Sequence, residues 1–284
     1  MKFRKVWKAN RPRNLENIDK QREKYPDLVN KVIEISDVVL EILDARFPEE
    51  TRNKEIEEKI KSMGKRLIFV LNKCDLIDTK NASLPEDIRP YVFVSCKKRW
   101  GSRILRNLIK DEIKYRNKKF KRAQVGIIGY PNTGKSSLIN FLTGKPAAKT
   151  AQEAGFTKGI QKVRLSSNIL LLDTPGVIPL EKYSNDDPIL IKHHALVGAR
   201  NYDKVKNPDF IVQDLLEKHS KEVCDFYKVE ETKSADEFLD NLGRKKNFLV
   251  KGGEVDIDRT ARLVLKDWQE GNFVLKKNEI SKER

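Results

Sequence analysis

The chain has 284 residues, a hydrophobic share of 38% that is gathered in runs, and 58 Lys and Arg against 42 Asp and Glu, for a net charge of +16. This composition excludes a chain disordered throughout, and no apolar run reaches the roughly 18 residues that a membrane span needs. The basic first residues lack the apolar segment of a secretory signal, and the three cysteines lack metal-ligand spacing, so we expect a cytoplasmic, disulfide-free protein without a membrane partner.

Strand and helix patterns alternate along the first 180 residues, which predicts a doubly wound α/β sheet of mostly parallel strands. After Pro179 the pattern becomes helical, with amphipathic runs at 208–219, 234–242 and 257–270. The predicted strands are 37–43, 66–71, 91–95, 123–129, 160–165 and 169–173. The predicted helices among them are 14–34 with an interruption at Pro26, 50–63, one within 97–122, and one that begins at Ser136.

The positive charge is concentrated in the first part of the chain. Residues 1–180 hold 38 Lys and Arg against 21 Asp and Glu, whereas residues 181–284 hold 20 against 21. Residues 97–122 alone hold 12 basic and two acidic residues. This density favours contact with the phosphates of a nucleic acid, although a solvated helix face and a lysine-rich surface remain alternatives.

Residues 129–136 (GYPNTGKS) fit the phosphate-loop pattern G-x-x-x-x-G-K-[ST], between a predicted strand and a predicted helix. In this context backbone N–H groups at the helix start bind phosphate oxygens. We expect Lys135 to reach the β- and γ-phosphates and Ser136 to bind Mg²⁺. The predicted nucleotide contacts from this segment are Asn132, Thr133, Gly134, Lys135, Ser136 and Ser137.

A second phosphate-side motif, Asp173-Thr174-Pro175-Gly176, follows the strand at 169–173. Its spacing from the phosphate loop suits a carboxylate that binds Mg²⁺ through water and a glycine N–H that faces the γ-phosphate. Thr157 lies between the two motifs and is the predicted switch threonine, with Thr150 and Thr143 as competitors. The predicted metal ligands are Ser136, Thr157 and Asp173.

Base recognition is predicted at Asn72-Lys73-Cys74-Asp75, which follows the strand at 66–71. A carboxylate at Asp75 can accept from both N1–H and the 2-amino group of guanine, and adenine offers no such pair of donors. An ATPase or kinase remains the alternative if this motif is accidental. The predicted base-side contacts are Asn72, Lys73, Asp75, Ser95, Cys96 and Lys97.

The base-reading motif precedes the phosphate loop, the reverse of the order in ordinary GTPases. In this order, in Asp44-Ala45-Arg46 with Pro48, in GYPNTGKSS and in residues 238–256, the chain resembles the circularly permuted GTPases of the YlqF/RbgA and YawG type. The resemblance implies a permuted P-loop GTPase fold that binds GTP, GDP and Mg²⁺. It also implies a role in large ribosomal subunit assembly through rRNA contact. We expect a monomer with three parts: a basic segment over 1–30, a GTPase domain over 31–180 and a helical, RNA-binding or ribosome-binding domain over 181–284.

The resemblance also bears on hydrolysis. Val177 occupies the place of the water-orienting Gln of ordinary GTPases, so we expect slow intrinsic turnover that potassium or ribosomal particles increase. Asn132 matches the cation-binding asparagine of potassium-activated GTPases, or it only braces the loop. The predicted catalytic residues are Lys135, Thr157, Gly176 and Asn132.

The histidines and tryptophans lie outside these motifs, and their expected environments are as follows. The family's N-terminal histidine motif is absent, and we expect His193 and His194 to be exposed helix or linker residues. Trp268 is expected in a core, whereas Trp7 and Trp100 either pack or stack on RNA bases. A GTPase acting on another RNA or on the small subunit, and a guanine-nucleotide-dependent scaffold with incidental hydrolysis, remain rival functions.

Overall fold

A six-stranded sheet lies at the centre of the fold. The structure is a computed structural model that describes residues 24–115, 122–146, 160–174, 176 and 187–272. The strands are β1 (Val38–Asp44), β2 (Arg66–Asn72), β3 (Tyr91–Phe93), β4 (Ala123–Gly129), β5 (Gln161–Ser166) and β6 (Ile169–Asp173). The strand order is β3-β2-β1-β4-β6-β5, with all neighbours parallel except the antiparallel pair β5 and β6. This confirms the predicted α/β fold with a mostly parallel sheet.

Both faces of the sheet are covered, which explains why its central strands read as continuous apolar runs. All seven residues of β1 are buried. Val38 and Leu40 pack into the core on one face, and Val39 and Leu43 pack into the core on the other. The helices over these faces are α1 (Lys24–Ile35), α2 (Lys54–Ser62), α3 (Ser102–Tyr115) and α4 (Lys135–Thr143).

Four more helices form a second core in the C-terminal part of the chain. Leu215, Phe238 and Trp268 are buried together there, which confirms the predicted core position of Trp268. The helices are α5 (Pro188–Leu196), α6 (Pro208–Tyr227), α7 (Ala235–Lys245) and α8 (Ile257–Glu270).

Several element ends differ from the predictions for local reasons. Pro26 does not interrupt α1, because it lies in the first turn, where its missing N–H has no helical partner to lose. Helix α2 begins at Lys54 because the Asn53 side chain accepts from the Ile56 N–H as a cap. Helix α6 continues past residue 219 to Tyr227, with a local break at His219 (φ −142°, ψ 35°).

The prediction that His193 and His194 are both exposed is wrong for His194, which is only 2% exposed. Its ring faces the Tyr130 ring of the phosphate loop at 6.4 Å between centroids. Helix α5 joins the C-terminal core through Ala195, and its apolar residues do not gather on one side, so its sequence contains no stripe that separates a buried face from an exposed one.

Some predictions concern residues outside the described ranges, namely Trp7, Thr150, Thr157, Val177 and the basic run at 116–121. The predicted boundary at residues 30 and 31 lies inside α1, and the three-part division stays a prediction. Across the described part of the chain, no helix combines the length and apolar character needed to cross a bilayer.

Candidate nucleotide-binding site

The predicted motifs meet at one edge of the sheet, where β1, β2, β4 and β6 end. The register places Asp44 beside Asn72, Ile42 beside Gly129, and Ile127 beside Asp173. Ligands of open α/β sheets bind at the carboxyl ends of the strands. The topology therefore brings motifs from residues 72 to 176 to one site.

Two glycines give the phosphate loop its shape. Gly129 has φ +146°, and a Cβ there would lie 2.5 Å from the Ile42 carbonyl oxygen. Gly134 has φ +99°, and a Cβ there would collide with the Asn72 side-chain amide. Helix α4 begins directly after Gly134, so its first N–H groups face the loop and suit phosphate oxygens.

Lys135 is buried under this loop. Its Nζ donates to the carbonyl oxygens of Gly129 (3.0 Å) and Tyr130 (2.6 Å). Burial lowers the pKa of Lys135 to about 8, although the nearby Asp173 charge opposes the change. Negative charge from bound phosphates would add to that of Asp173 and favour the ammonium form.

Ser136 and Asp173, two of the predicted metal ligands, are in contact. The Ser136 hydroxyl donates to Asp173 Oδ2 at 3.3 Å, while Asp173 Oδ1 is buried without a hydrogen-bond partner among the described residues. Burial raises the pKa of Asp173, and Lys135 opposes that effect. A buried carboxylate oxygen without a partner beside a hydroxyl fits a hard cation such as Mg²⁺.

Gly176 reaches the phosphate loop, as its predicted role requires. A Cβ at this glycine would lie 2.8 Å from the Pro131 backbone and 3.0 Å from Lys135 Nζ. Only a residue without a side chain can approach so closely. Ser137 is half-buried in the first turn of α4. The predicted ligand Thr157 lies outside the described residues.

The base-side loops form a separate hydrogen-bonded unit. The Ser95 hydroxyl donates to Asp75 Oδ1 at 2.5 Å and accepts from the Lys98 N–H at 2.9 Å. The Cys74 N–H donates to the Val94 carbonyl at 3.2 Å. The loop that contains Ser95 thus orients the Asp75 carboxylate. The predicted role of Asp75 needs this orientation, because the carboxylate oxygens have to face the guanine donors.

Asn72 joins the base side to the phosphate side. Its Nδ2 donates to the Thr133 carbonyl at 2.8 Å, and its Oδ1 accepts from the Cys96 N–H at 3.3 Å. One buried amide therefore connects its own loop to two others that are 24 and 61 residues away in sequence.

The thiols of the base loops are protonated at neutral pH. Burial raises the pKa of Cys74 to about 11 and that of Cys96 to about 12, and the Asp75 charge adds to both shifts. Cys96 contributes its backbone N–H to the loop, whereas Lys97 is exposed and points its ammonium toward the Gly271 carbonyl at 3.4 Å.

Asp44 is the buried centre of a charge cluster beside Lys73. Lys73 Nζ lies 2.8 Å from Asp44 Oδ2, and Arg46 donates to both carboxylate oxygens at 3.0 and 2.8 Å. Burial opposes ionisation, but the two cations outweigh it and hold the pKa of Asp44 well below its usual range. The Asp-Ala-Arg segment thereby restrains the lysine of the base-reading motif.

The C-terminal helices contact both halves of the site. On the base side, Arg46 Nη1 donates to the Trp268 carbonyl at 2.9 Å, and the guanidinium lies 5.3 Å from the Trp268 ring centre. On the phosphate side, Asn132 Nδ2 donates to the Gly198 carbonyl at 2.7 Å, and Tyr130 packs with Val197. Sequence reasoning missed these contacts because the partners lie 66 to 222 residues apart and no local pattern marks them.

Comparisons with known proteins agree with this geometry. The family described as 50S ribosome-binding GTPase matches residues 124–247. A Methanocaldococcus jannaschii protein named uncharacterized GTP-binding protein MJ1464 is 42% identical over 261 residues, covering 90% of this chain and 67% of the relative. Nucleolar GTP-binding protein 2 of Saccharomyces cerevisiae is 35% identical over 252 residues, covering 86% of this chain and 51% of the relative. The chain thus spans about half the length of that eukaryotic relative.

The fold also matches a solved GTPase structure. The crystal structure of GNP-bound YlqF from T. maritima has a TM-score of 0.60 and 25% identity, covering 89% of this chain and 98% of that chain. Its GDP-bound form has a TM-score of 0.58. The base-reading loops precede the phosphate loop in sequence but meet it at one edge of the sheet. This arrangement is typical of a circularly permuted GTPase. The chain therefore belongs to the family of circularly permuted GTPases that includes YlqF.

Proposed function

We propose that the chain hydrolyses GTP to GDP and phosphate and acts in assembly of the large ribosomal subunit through contact with rRNA. The observation that carries the GTPase part is the Asn72 amide, which joins the Asp75 loop to the phosphate loop at one sheet edge. The ribosomal part is supported by the description of the matching family, 50S ribosome-binding GTPase, and by the basic residues of α3.

Each half of the site has a defined task in this proposal. Asp75, held by Ser95, accepts from guanine, while the N–H groups at the start of α4 and Lys135 bind the phosphates. Ser136 and Asp173 would hold Mg²⁺, which neutralises phosphate charge when bound. In this proposal the Gly176 N–H donates to the γ-phosphate, a role that the close approach of this glycine to Pro131 supports.

The residues available for hydrolysis predict a low intrinsic rate. Val177 cannot orient water, so a group outside the usual glutamine position must compensate. Asn132 is our proposal for a K⁺ ligand, because its Nδ2 is engaged by Gly198 and its Oδ1 is the atom that suits a cation. The C-terminal helices would thus orient the amide that binds K⁺.

The test combines binding and turnover. We expect the protein to co-sediment with large-subunit particles differently in GTP, in GDP and without nucleotide. We also expect GTP turnover in KCl to rise when those particles are added, and to fall when NaCl replaces KCl. Small-subunit particles are the matched control.

Two rival functions correspond to other outcomes of the same experiment. Nucleotide-dependent binding without any increase in turnover would indicate a guanine-nucleotide-dependent scaffold, which the Val177 position favours. Preferential binding to small-subunit particles or to another RNA would contradict the large-subunit assignment and leave the GTPase assignment intact.

A further inference from the structure

The loop from Ser95 to Gly101 carries an exposed tryptophan beside the base-reading site. Trp100 is 50% exposed, although its backbone is fixed by two hydrogen bonds to Ser95, N–H to carbonyl in each direction at 3.0 and 3.1 Å. Gly101 closes the loop with φ +89°, and a Cβ there would lie too close to the Phe93 carbonyl. The indole is therefore held at the surface by a rigid backbone.

The surroundings of Trp100 are strongly basic. Lys98 and Arg103, which lie two and three residues from Trp100 in sequence, are exposed and form no salt bridge with an acidic residue in the described part of the chain. Of the two acidic residues in α3, Glu112 is engaged by Arg66 at 2.9 Å. About half of the Trp100 surface is therefore open to solvent, next in sequence to cations that no described acidic residue neutralises.

We propose that Trp100 stacks on an unpaired base of RNA while Lys98 and Arg103 contact the phosphates on either side. Aromatic rings that stack on bases within a cationic groove are the arrangement by which proteins bind single strands. Double-stranded RNA would satisfy the cations but offers no free base face. This inference rests on the proposed RNA contact and names the residue and the form of RNA involved.

The same loop links this surface to guanine. Ser95 fixes the Trp100 backbone, and its hydroxyl also donates to Asp75, the predicted guanine-reading carboxylate. Guanine bound at Asp75 would stabilise the contact of Asp75 with Ser95 and, with it, the loop position that presents Trp100. Because such coupling is reciprocal, RNA bound at Trp100 would strengthen guanine nucleotide binding by the same factor.

The stacking contact is tested with a fluorescent single-stranded RNA of about 12 nucleotides, within the usual range of site sizes. An abasic strand of equal length serves as the probe without bases. We expect W100A to bind the RNA about tenfold more weakly, the effect of losing one stacked base, and W100F to retain most of the affinity. F210A, which removes another exposed aromatic far from this basic segment in sequence, is the matched control and is expected to bind normally. All four proteins should bind the abasic strand alike.

Two further measurements test the phosphate contacts of Lys98 and Arg103 and the coupling between RNA and guanine nucleotide. Replacing Lys98 and Arg103 together by Ala is expected to reduce the salt slope of binding by roughly 1.4, at about 0.7 per phosphate contact, whereas W100A leaves the slope unchanged. GDP-loaded wild type is expected to bind the RNA more tightly than nucleotide-free protein, and W100A is expected to lose that difference.

Three results would overturn the inference: normal RNA binding by W100A, equal affinity of wild type for the abasic strand, or equal affinity with and without GDP. Equal affinity for the abasic strand would assign the surface to polyanions or an acidic protein partner. If wild type binds RNA and W100A binds it equally well, only this inference fails. If wild type binds neither RNA nor ribosomal particles, the proposed function fails as well.

Discussion

Glu41 and Asp44 lie on the same strand, both completely buried, yet their surroundings move their pKa values in opposite directions. Two cations, Lys73 and Arg46, outweigh burial at Asp44 and keep it ionised. At Glu41, burial and the nearby Glu57 charge together raise the pKa well above its usual range. Burial alone thus does not decide the charge of a carboxyl group, because the signs of the neighbouring charges decide whether burial is opposed or reinforced.

This contrast predicts a pH-dependent effect of E41Q. Since the folded pKa of Glu41 is raised, its contribution to stability is complete below the unfolded pKa near 4.5 and is lost as the pH rises toward the folded value. Glutamine carries no charge and can still accept from the Asn53 N–H. We expect the melting temperature of E41Q relative to wild type to increase from pH 5 to pH 8.

The matched control for E41Q is E49Q. Glu49 lies nearby, is paired with Arg52 and has a side chain that is 42% exposed; burial raises its pKa, but Arg52 and Lys54 together outweigh burial and lower it. We expect no stabilisation of E49Q at pH 8. A melting-temperature difference between E41Q and wild type that is the same at both pH values would contradict the raised pKa.

Our proposal also assigns guanine selection to a single residue, Asp75. D75N replaces one acceptor oxygen by a donor, so it should lose affinity for GTP and gain affinity for XTP, which presents a carbonyl in place of the 2-amino group. Equilibrium binding of both nucleotides measures the change. D78N, at an exposed aspartate three residues later, is the control. Unchanged GTP affinity of D75N would remove Asp75 from the base-reading site.

At the scale of elements, the central strands of the sheet were predictable because they are buried on both faces and are therefore mostly apolar. The ends of the strands and helices were less predictable. The strand predicted to extend to Ser95 ends at Phe93, since the Ser95 backbone pairs with Trp100 and leaves the sheet. Helix α6 continues beyond His219 because Val223 and Tyr227 complete the core of the C-terminal helices.

The contact of β1 with α8 through Arg46 predicts a large effect of R46A. The Arg46 side chain is 2% exposed and joins Asp44 to the Trp268 carbonyl. Its loss leaves a buried carboxylate with one cation fewer, so we expect the free energy of unfolding to fall by about 3 kcal/mol. Chemical denaturation measures this change, and R46K should not restore it, because an ammonium cannot replace the bidentate guanidinium.

The control for R46A is R244A, which removes an exposed Arg244–Asp240 pair on α7. Surface pairs of this kind contribute little, so its denaturation midpoint should match that of wild type. If R46A and R244A behave alike, the Arg46 cluster does not hold the C-terminal helices against the sheet.

At the scale of the whole molecule, the C-terminal helices contact the phosphate loop at Asn132 and the base side at Arg46. The first of these helices also begins twelve residues after Gly176, the glycine that we propose for the γ-phosphate. Loss of the γ-phosphate can therefore alter the position of the C-terminal helices in two ways, along the chain after Gly176 and through the contact of Asn132 with Gly198.

This arrangement predicts that limited proteolysis depends on the bound nucleotide. We expect cleavage within residues 177–190 to differ between GDP and a non-hydrolysable GTP analogue, because only the analogue provides a γ-phosphate for Gly176 to contact. Mass spectrometry of the fragments locates the cuts. Cleavage within α7, which lies far in sequence from the phosphate loop and from Gly176, is the internal control and should not change. Identical patterns with both nucleotides would contradict a nucleotide-controlled C-terminal part.

The sequence by itself determined the nucleotide motifs, their permuted order and the α/β fold, because each depends on local spacing and on apolar patterns within one element. Trp268 was also predictable as a core residue. Only the tertiary structure decided which motifs meet and what covers them. Asn72 on Thr133, Arg46 on Trp268 and Asn132 on Gly198 are contacts across 61 to 222 residues. The burial of His194 and the exposure of Trp100 were decided in the same way, because a side chain's environment depends on which elements pack around it.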